Sequence, residues 1–199
     1  AVTKDSNVVP VTPPSPEQPP IEKDVNSKPS ETIADRTEEF TYNIHTTMPQ
    51  DATGFTVTDE LKDVLEFADV QVTLGGKKAD AAVAKNGQTL EVTFPEETVK
   101  ANGGKKVQVT FKAKIKADAD LTPYETANSY SVPNTASYLI NNNPASKKET
   151  KPVTVEVPKQ PGPEVTKKIN RTLDHLDVDR DVPYMYNVNT QIPKDIRLY

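Results

Sequence analysis

The amino-acid sequence predicts an all-β protein built as a β-sandwich. Over its 199 residues, short runs of alternating apolar and polar side chains recur, and long helical periodicities are missing. Turn signals separate several of these runs, as at Gly75-Gly76, Asn86-Gly87 and Asn102-Gly103-Gly104. About nine short strands in about 135 residues are typical of a β-sandwich.

The strands follow from the alternation and the turns, taken in chain order. We predict them at 21–26, 38–46, 54–59, 69–74, 79–84, 88–94, 106–116, 129–140 and 150–157. Asn86-Gly87 indicates a tight hairpin. Two short helices are predicted, one at Glu60–Phe67 after Asp59 and one at Pro95–Ala101 before Asn102-Gly103.

An internal repeat organises the chain. Residues 21–51 align without a gap with residues 165–195, so that Lys23 matches Lys167 and Tyr42-Asn43 matches Tyr186-Asn187. The preceding stretches agree as well, because both are rich in proline.

The repeat predicts four segments. Residues 1–20 are the tail and Pro-rich linker of a preceding unit, 21–157 form a complete domain, 158–163 form a second linker, and 164–199 are the first strands of a following, incomplete unit. Pro-rich joints favour extended polyproline II and act as semi-rigid spacers. We therefore expect a fragment of a longer rod-like array, with any export or anchoring signal elsewhere in the parent.

Composition excludes several function classes. The net charge of −5 is spread along the chain without a basic face, so we expect no nucleic-acid partner. The absence of cysteine excludes disulfides, thiolate metal sites and cysteine nucleophiles. No apolar run approaches the roughly 20 residues of a membrane span, so no membrane insertion is expected in this fragment. No phosphate loop or metal-ligand pattern stands out, and we expect no cofactor and no metal.

Three polar residues occupy positions that the alternation assigns to the core. Side chains two apart on a strand point the same way, so each of the three should face inward. They are Lys23, between Ile21 and Val25; Asp59, after Phe55 and Val57; and Asn134, between Val132 and Ala136. Burying any one of them alone is costly.

Each of the three has an ordinary interpretation when taken alone. Lys23 could be a solvated or snorkelling lysine. Asp59 could cap the predicted helix, and Asn134 after Pro133 could be a turn residue. Their common phase makes a reaction between them an equal alternative. Burial lowers the pKa of a lysine and makes the amine nucleophilic, and a buried protonated carboxyl can polarise the asparagine carbonyl. The pattern alone therefore leaves two interpretations open: these ordinary roles, or a self-formed Lys23–Asn134 isopeptide bond between the first and last strands, with Asp59 as the proton shuttle.

The sequence also resembles a known family. The residues that carry the resemblance are Lys23 in IEKDVN, Asp59 in FTVTDEL, Phe111-Lys112-Ala113 in VTFKAKI, and Asn134 in VPNTASYLINN. Together they resemble the isopeptide-forming domains of Gram-positive surface proteins, and more closely the collagen-adhesin A-type (CnaA-like, fimbrial D2-type) domain of backbone pilins. The resemblance covers about 21–157, and a second start covers 164–199. It implies an immunoglobulin-like β-sandwich with short helices in its connections, and a first-strand Lys bonded to a last-strand Asn with help from an Asp.

The related B-type domains use a glutamate, for which this chain offers Glu38 and Glu39. Glu39 is out of phase with the apolar face, and the repeat counterpart of Glu38 is Val182, so Asp59 is preferred. In the second unit Lys167 is the crosslink lysine, unpaired here because its partners would lie beyond residue 199. Pilins also carry a sortase-reactive lysine and an LPXTG-type anchor, and neither motif is seen here.

Other candidate residues point to simpler roles. His45 and His175 are not repeat partners, and a structural or solvent role is expected for both. Asp177, Asp179 and Asp181 resemble the start of a calcium loop but lack its later Gly and Glu, so a solvated turn is expected. Asn170-Arg171-Thr172 matches a glycosylation sequon by chance.

Two functions remain in view. The first is a structural stalk segment of a Gram-positive fimbrial protein or adhesin on the bacterial cell wall, whose partners are neighbouring domains or subunits of the same protein. The second is a module that binds a host extracellular-matrix or cell-surface protein. In neither is the chain an enzyme, since the isopeptide reaction is a single turnover on the protein itself.

Overall fold

The computed structural model describes residues 16, 18–159, 162 and 164–192. Contacts divide the chain into two units, one up to Val157 and one from Pro158 onward. Regular structure is almost entirely β, which confirms the predicted fold class. The predicted preceding tail (1–15 and 17) and linker positions 160, 161 and 163 lie outside the described residues.

Fifteen strands, one α-helix and one 3₁₀ helix occur in the described ranges. The helices are α1 (Glu96–Ala101) and the 3₁₀ turn Thr122–Tyr124. The strands are β1 (Glu22–Val25), β2 (Ser30–Thr32), β3 (Phe40–Thr47), β4 (Phe55–Glu60), β5 (Leu65–Leu74), β6 (Lys77–Lys78), β7 (Ala82–Asn86), β8 (Thr89–Phe94), β9 (Lys106–Ile115), β10 (Ser129–Asn134), β11 (Ala136–Ile140), β12 (Asn143–Glu149), β13 (Val153–Pro158), β14 (Val165–Ile169) and β15 (Tyr186–Thr190).

Three sheets build the described part of the first unit. One five-stranded sheet has the order β1-β3-β9-β5-β6, and a second has the order β12-β11-β4-β8-β7. A three-stranded sheet has the order β10-β13-β2, in which β13 and β2 run parallel. The strands of the two large sheets pair antiparallel, as expected for sandwich layers with one buried face.

The period-two alternation explains which side chains form the core. In β3, Phe40, Tyr42 and Ile44 are buried to 1%, 0% and 1% exposure, while the residues between them are partly exposed. Rings from neighbouring strands then meet inside, as Tyr42 does with Phe111 at 5.4 Å between centroids. Each such fully buried side chain contributes about 1.5–3 kcal/mol of hydrophobic stabilisation.

The helix predicted at Glu60–Phe67 is wrong. Glu60 ends β4, Leu65 begins β5, and a short turn joins them, with the Leu65 amide donating to the Lys62 carbonyl at 2.9 Å. The Gln88 side-chain amide also donates to that carbonyl at 2.6 Å. The apolar residues of this segment have helical spacing, but they are buried at a strand-to-strand corner, so Asp59 is not a helix cap.

The single strand predicted at 129–140 is wrong as well. Buried positions do alternate across it, but the chain changes sheets at Thr135, so β10 joins β13 while β11 pairs with β4 and β12. Asn134 therefore ends β10 and is not on the last strand of the unit, which is β13. The alternation of buried and exposed residues continues past Thr135, because β10 and β11 bury the same side of the chain. The sequence pattern therefore does not show where β10 ends.

Other elements follow the prediction with shifted ends. Helix α1 begins at Glu96 after Pro95, and β7 and β8 form the predicted hairpin around Gly87, whose φ of +61° favours glycine. The short or polar strands β2, β6 and β12 were not predicted, because they lack an apolar alternation.

The residues just before β1 are held by the body of the first unit. Thr46 donates its hydroxyl proton to the Pro20 carbonyl at 2.8 Å, and Tyr138 donates to the Pro19 carbonyl at 2.7 Å. Lys148 reaches the Gln18 carbonyl at 3.3 Å. Three strands thus fix the path of the chain into β1.

The described residues of the second unit contain one antiparallel hairpin, in which β14 pairs with β15. Lys167 lies opposite Val188, which is the register that places Lys23 opposite Ile44 in the first unit. The repeat counterparts Pro193 and Asp195 lie outside the described residues. Across the described part of the chain, no helix has the length and apolarity needed to cross a membrane.

Candidate crosslinking site

Strand β1 carries Lys23 into the interior. Its side chain has no solvent exposure, and its Nζ lies 4.5 Å from the centre of the Tyr42 ring and 5.3 Å from that of Phe111. A lysine amine between two aromatic faces is shielded from water and keeps only cation–π stabilisation when charged. The lysine therefore needs a polar partner at its tip.

Asp59 supplies that partner from the other large sheet. The residue is 1% exposed, and a hydrogen bond joins its Oδ2 with Lys23 Nζ. Its second oxygen, Oδ1, has no hydrogen-bond partner among the described residues. The pair connects β1 and β4 across the sandwich and leaves one carboxyl oxygen available.

Asn134 is the third buried polar group. The residue is 2% exposed, and neither its Oδ1 nor its Nδ2 has a hydrogen bond of standard geometry within the described part of the chain. It still lies close enough to Asp59 and Tyr42 to offset part of the rise that burial causes in the pKa of each. A buried, unsatisfied carboxamide costs about 1–3 kcal/mol, so its presence here calls for an explanation.

Burial shifts the pKa values of the pair toward their neutral forms. Desolvation lowers the pKa of Lys23, against the opposing attraction of Asp59. Desolvation also raises the pKa of Asp59, against the attraction of Lys23 and the nearby Asn134. Both shifts favour a free amine beside a protonated carboxyl.

The three groups together have the chemistry for amide formation. A neutral amine is a nucleophile, a carboxamide carbon is the electrophile, and a neutral carboxyl can donate a proton to the carbonyl oxygen and later to the departing nitrogen. All three predicted residues are buried in one region of the first unit.

The sequence reasoning missed the Tyr42 hydroxyl as part of this site. Burial and the charge of Asp59 raise the pKa of Tyr42, so the phenol stays protonated. Its oxygen has no hydrogen bond of standard geometry to the described residues. The signal was present, because Tyr42 is in phase with the apolar face of β3 and is repeated as Tyr186.

The remaining candidate residues make contacts of their own. His45 contacts Asp24 at 2.9 Å on the outer face, and His175 contacts Asp177 at 3.1 Å where both side chains are exposed. The Glu38 carboxylate accepts from the Ala34 amide, and Glu39 approaches Lys112 at 3.6 Å on the surface.

Lys167 repeats the setting of Lys23 without its enclosure. Its Nζ lies 4.0 Å from the centre of the Tyr186 ring, but Tyr186 is 54% exposed, whereas Tyr42 is 0% exposed. Within the described residues of its unit, no carboxylate forms an ion pair with this amine.

No family model matches this chain. It is 98% identical over 200 aligned residues to Platelet adherence protein A of Streptococcus gordonii; the match covers 100% of this chain and 6% of that protein's length. The chain therefore spans a small part of the curated relative that it matches.

Solved structures of pilins are also similar to this chain. The major pilin subunit BcpA of Bacillus cereus is 25% identical with a TM-score of 0.58, covering 77% of this chain and 42% of that one. Domains D2 and D3 of the major pilin SpaD from Corynebacterium diphtheriae are 26% identical with a TM-score of 0.50, covering 75% and 54%. The resemblance to Gram-positive backbone pilins is confirmed, and the proteins that the chain resembles are pilins and an adherence protein.

Proposed function

We propose that this chain is a structural stalk segment of a cell-wall-anchored surface protein, stiffened by an isopeptide bond between Lys23 and Asn134 that forms with the help of Asp59. The observation that carries the proposal is the burial of an amine, a carboxyl and an unsatisfied carboxamide in one apolar region. The chain acts once on itself and is not an enzyme.

The energetic argument starts from the unreacted groups. A buried Lys–Asp pair recovers its desolvation cost only when the remaining lone pairs and protons are satisfied. Here Asp59 Oδ1 and both polar atoms of Asn134 lack such partners in the described residues. Condensation replaces the amine and the primary amide by one secondary amide and removes the need for a buried charge. The site is therefore better suited to the product than to the reactants.

The reaction balances without any cofactor. Lys23 Nζ attacks Asn134 Cγ while protonated Asp59 donates to the carbonyl oxygen. A proton from Nζ then passes through Asp59 to Nδ2. As the tetrahedral intermediate collapses, the Cγ–Nδ2 bond breaks, ammonia leaves, and the carbonyl oxygen returns its proton to Asp59. Fixing the reactants in the folded core can lower the barrier by about 7–11 kcal/mol.

The bond would tie β1 to β10 and so join the first large sheet to the small sheet. Tension that enters at β1 would pass through a covalent link instead of through strand hydrogen bonds alone. This property suits a load-bearing domain in a row of units, and the proline-rich stretches between units suit semi-rigid spacing.

The intact mass of the purified chain tests the proposal. We expect a mass lower than the sequence mass by one ammonia, and a tryptic peptide that joins the Lys23 and Asn134 segments. Asp59→Asn keeps the shape but cannot shuttle a proton, and it should restore the full mass. Lys112→Ala, on the exposed face of β9, is the matched control and should retain the ammonia loss. A full mass in the unaltered chain would overturn the crosslink.

A second function is adhesion, which the name of the 98% identical relative favours. In this case the segment itself would bind a platelet-surface protein. Binding of the isolated chain to immobilised platelets separates the two functions: specific, saturable binding supports adhesion, and its absence leaves the segment as a spacer.

A further inference from the structure

The Tyr42 ring is held at the reaction site by its place in strand β3. Its register partners are Val25 on β1 and Phe111 on β9. The ring packs against those of Phe40 and Phe111, with centroids 5.4 Å away in each case. Its own centroid lies 4.5 Å from Lys23 Nζ. Because protein interiors are close-packed, a ring enclosed in this way keeps one orientation, and its hydroxyl keeps one position in the site.

That hydroxyl is buried without a partner. Tyr42 is 0% exposed, and its oxygen has no hydrogen bond of standard geometry to the described residues. Tyr138 is buried as deeply, yet its hydroxyl donates to the Pro19 carbonyl at 2.7 Å. Buried tyrosine hydroxyls usually find such a partner. The exception at Tyr42 therefore needs an explanation in the site itself.

The apolar face of β3 does not need a hydroxyl for its packing. Two residues before Tyr42, Phe40 is 1% exposed and fills its place without one. In the repeat, Tyr184 stands where the first unit has Phe40, whereas Tyr186 matches Tyr42. The hydroxyl is thus exchanged at one position of this face. It is kept at the other, where a lysine amine lies over the ring in both units.

Asn134 offers an acceptor that fits this donor. Its Oδ1 is buried without a hydrogen bond of standard geometry to the described residues, and a carbonyl oxygen has two lone pairs. Protonated Asp59 uses one lone pair in the proposed reaction, and the second remains. The Asn134 side chain offsets part of the rise that burial causes in the pKa of Tyr42, so the two side chains lie within hydrogen-bonding reach. Catalytic hydrogen bonds are often poorly aligned before the transition state and tighten in it.

We propose that Tyr42 is a catalytic residue of this condensation: its hydroxyl donates a hydrogen bond to Asn134 Oδ1 and stabilises the negative charge that develops there as Lys23 Nζ attacks Cγ. The inference rests on the proposed function and adds a second donor to the one that Asp59 supplies. In an enclosed apolar region, a fixed donor of this kind stabilises such a charge more strongly than water does. Tyr42 thus serves the reaction through its ring, which shields the amine, and through its hydroxyl, which binds the carboxamide.

The phenol takes part without giving up its proton. Burial and the charge of Asp59 raise the pKa of Tyr42, so its hydroxyl stays a donor at neutral pH. The balance of the reaction is unchanged: the Nζ–Cγ bond forms, the Cγ–Nδ2 bond breaks, and ammonia leaves with a proton relayed by Asp59. Afterwards the oxygen of the new secondary amide still accepts from Tyr42, which satisfies the buried hydroxyl.

The test follows the loss of ammonia over time in the whole chain, made by cell-free synthesis, captured in denaturant and then folded at neutral pH. Tyr42→Phe removes only the hydroxyl and should slow the loss about 10²–10³-fold, as removal of an oxyanion donor does. Tyr138→Phe is the matched control, because it removes an equally buried hydroxyl that bonds to the linker, and it should react at the rate of the unaltered chain. A 3-fluorotyrosine at position 42 is a more acidic phenol and a stronger donor, so it should react severalfold faster. At position 138 the same replacement should have no effect.

A role in packing alone would give different results. A hydroxyl that only supports the fold gains nothing from a more acidic phenol. An unchanged or lower rate with 3-fluorotyrosine at position 42 therefore overturns the inference, even where Tyr42→Phe is slow because it folds poorly. Tyr42→Phe should also lower the maximal rate without moving the pH range of the reaction. A displaced range at an unchanged maximal rate would mean that the hydroxyl acts only through Lys23 or Asp59, and would overturn the inference as well.

The outcomes separate this inference from the proposed function. If the unaltered chain loses one ammonia and Tyr42→Phe loses it at the same rate, the hydroxyl is not catalytic and the proposed function stands. If the unaltered chain keeps its full mass, the proposed function itself fails.

Discussion

Asp59 on β4 lies directly opposite Ala136 on β11, two residues after Asn134. Diagonal neighbours on adjacent strands are about 7–8 Å apart, within reach of long side chains. The register of β4 with β11 thus brings Asn134 toward Asp59, even though Asn134 belongs to a different sheet. Since Asp59 also bonds to Lys23, one carboxyl links the two residues proposed to react.

The crosslink should stabilise the folded unit by restricting the conformations of the unfolded chain. Removing it with Asn134→Ala frees a loop of roughly 110 residues, which lowers the free energy of unfolding by roughly 4–5 kcal/mol on the chain-entropy model. This variant leaves the Lys23–Asp59 pair intact, whereas Lys23→Ala would strand a buried carboxyl. Guanidinium unfolding measures the change, and the m-value should rise because the freed chain exposes more surface. Lys112→Ala should change stability by less than about 1 kcal/mol; equal unfolding of Asn134→Ala and the unaltered chain would contradict the prediction.

The rate of bond formation should have a bell-shaped pH dependence. The reactive state is a neutral amine beside a neutral carboxyl. It holds as many protons as the ion pair, so the ratio of these two states does not depend on pH. The population of the reactive state is therefore constant as long as the Lys23–Asp59 pair has a net charge of zero. Acid adds a proton and blocks the amine, and base removes the proton that Asp59 must donate. Burial raises the Asp59 pKa from 3.8 and lowers the Lys23 pKa from 10.5, so both limbs move toward neutral pH.

To measure this profile, the chain is synthesised in a cell-free reaction, captured in denaturant and folded at each pH. Mass spectrometry then follows the loss of ammonia over time. A rate that rises steadily with pH to 11 would mean that Asp59 is not needed as an acid.

Under tension, the unit should extend only in the part that follows Asn134. The crosslink protects residues 24–133, but β11, β12 and β13 lie after it. Pulling should release about 23 residues, or roughly 80 Å at full extension. In Asn134→Ala the whole unit should unravel, with a release of several hundred ångströms on the same basis.

Single-molecule force spectroscopy measures these lengths. The chain has no cysteine, so Gln18→Cys and Lys159→Cys provide unique handles. Release of the full length from the unaltered chain would show that β1 is not covalently held.

The linker before β1 should loosen when its hydrogen bonds are removed. Tyr138→Phe and Thr46→Val each delete a bond to a proline carbonyl, worth roughly 0.5–1.5 kcal/mol. Burial raises the pKa of Tyr138 to about 12, so its hydroxyl stays a donor at any pH well below that value. The ¹⁵N relaxation of Gln18 and Ile21 should report faster motion in the double variant. Thr73→Val, elsewhere in the first large sheet, is the control; unchanged relaxation in the double variant would mean that the body does not hold the linker.

Much of the candidate site could be predicted from the sequence. The period-two alternation is a local property of the chain, and it correctly assigned Lys23, Asp59 and Asn134 to buried positions. The repeat predicted the second hairpin with its lysine, because equivalent residues form equivalent turns and registers. These features depend on residues that are near one another in sequence, so they can be inferred from the sequence alone.

Features that depend on residues distant in sequence could not be predicted in this way. The spacing of Leu61, Val64 and Leu65 fits a helix, but burial at the corner between β4 and β5 overrides that preference. The change of sheet at Thr135 separates Asn134 from the last strand. Strand pairing depends on residues that are distant in sequence and does not alter the local alternation, so the sequence pattern could not show this change. The approach of the Tyr42 hydroxyl to Asn134 has the same origin. Local alternation is enough to identify which polar groups are buried, whereas the packing of the sheets sets which of them meet.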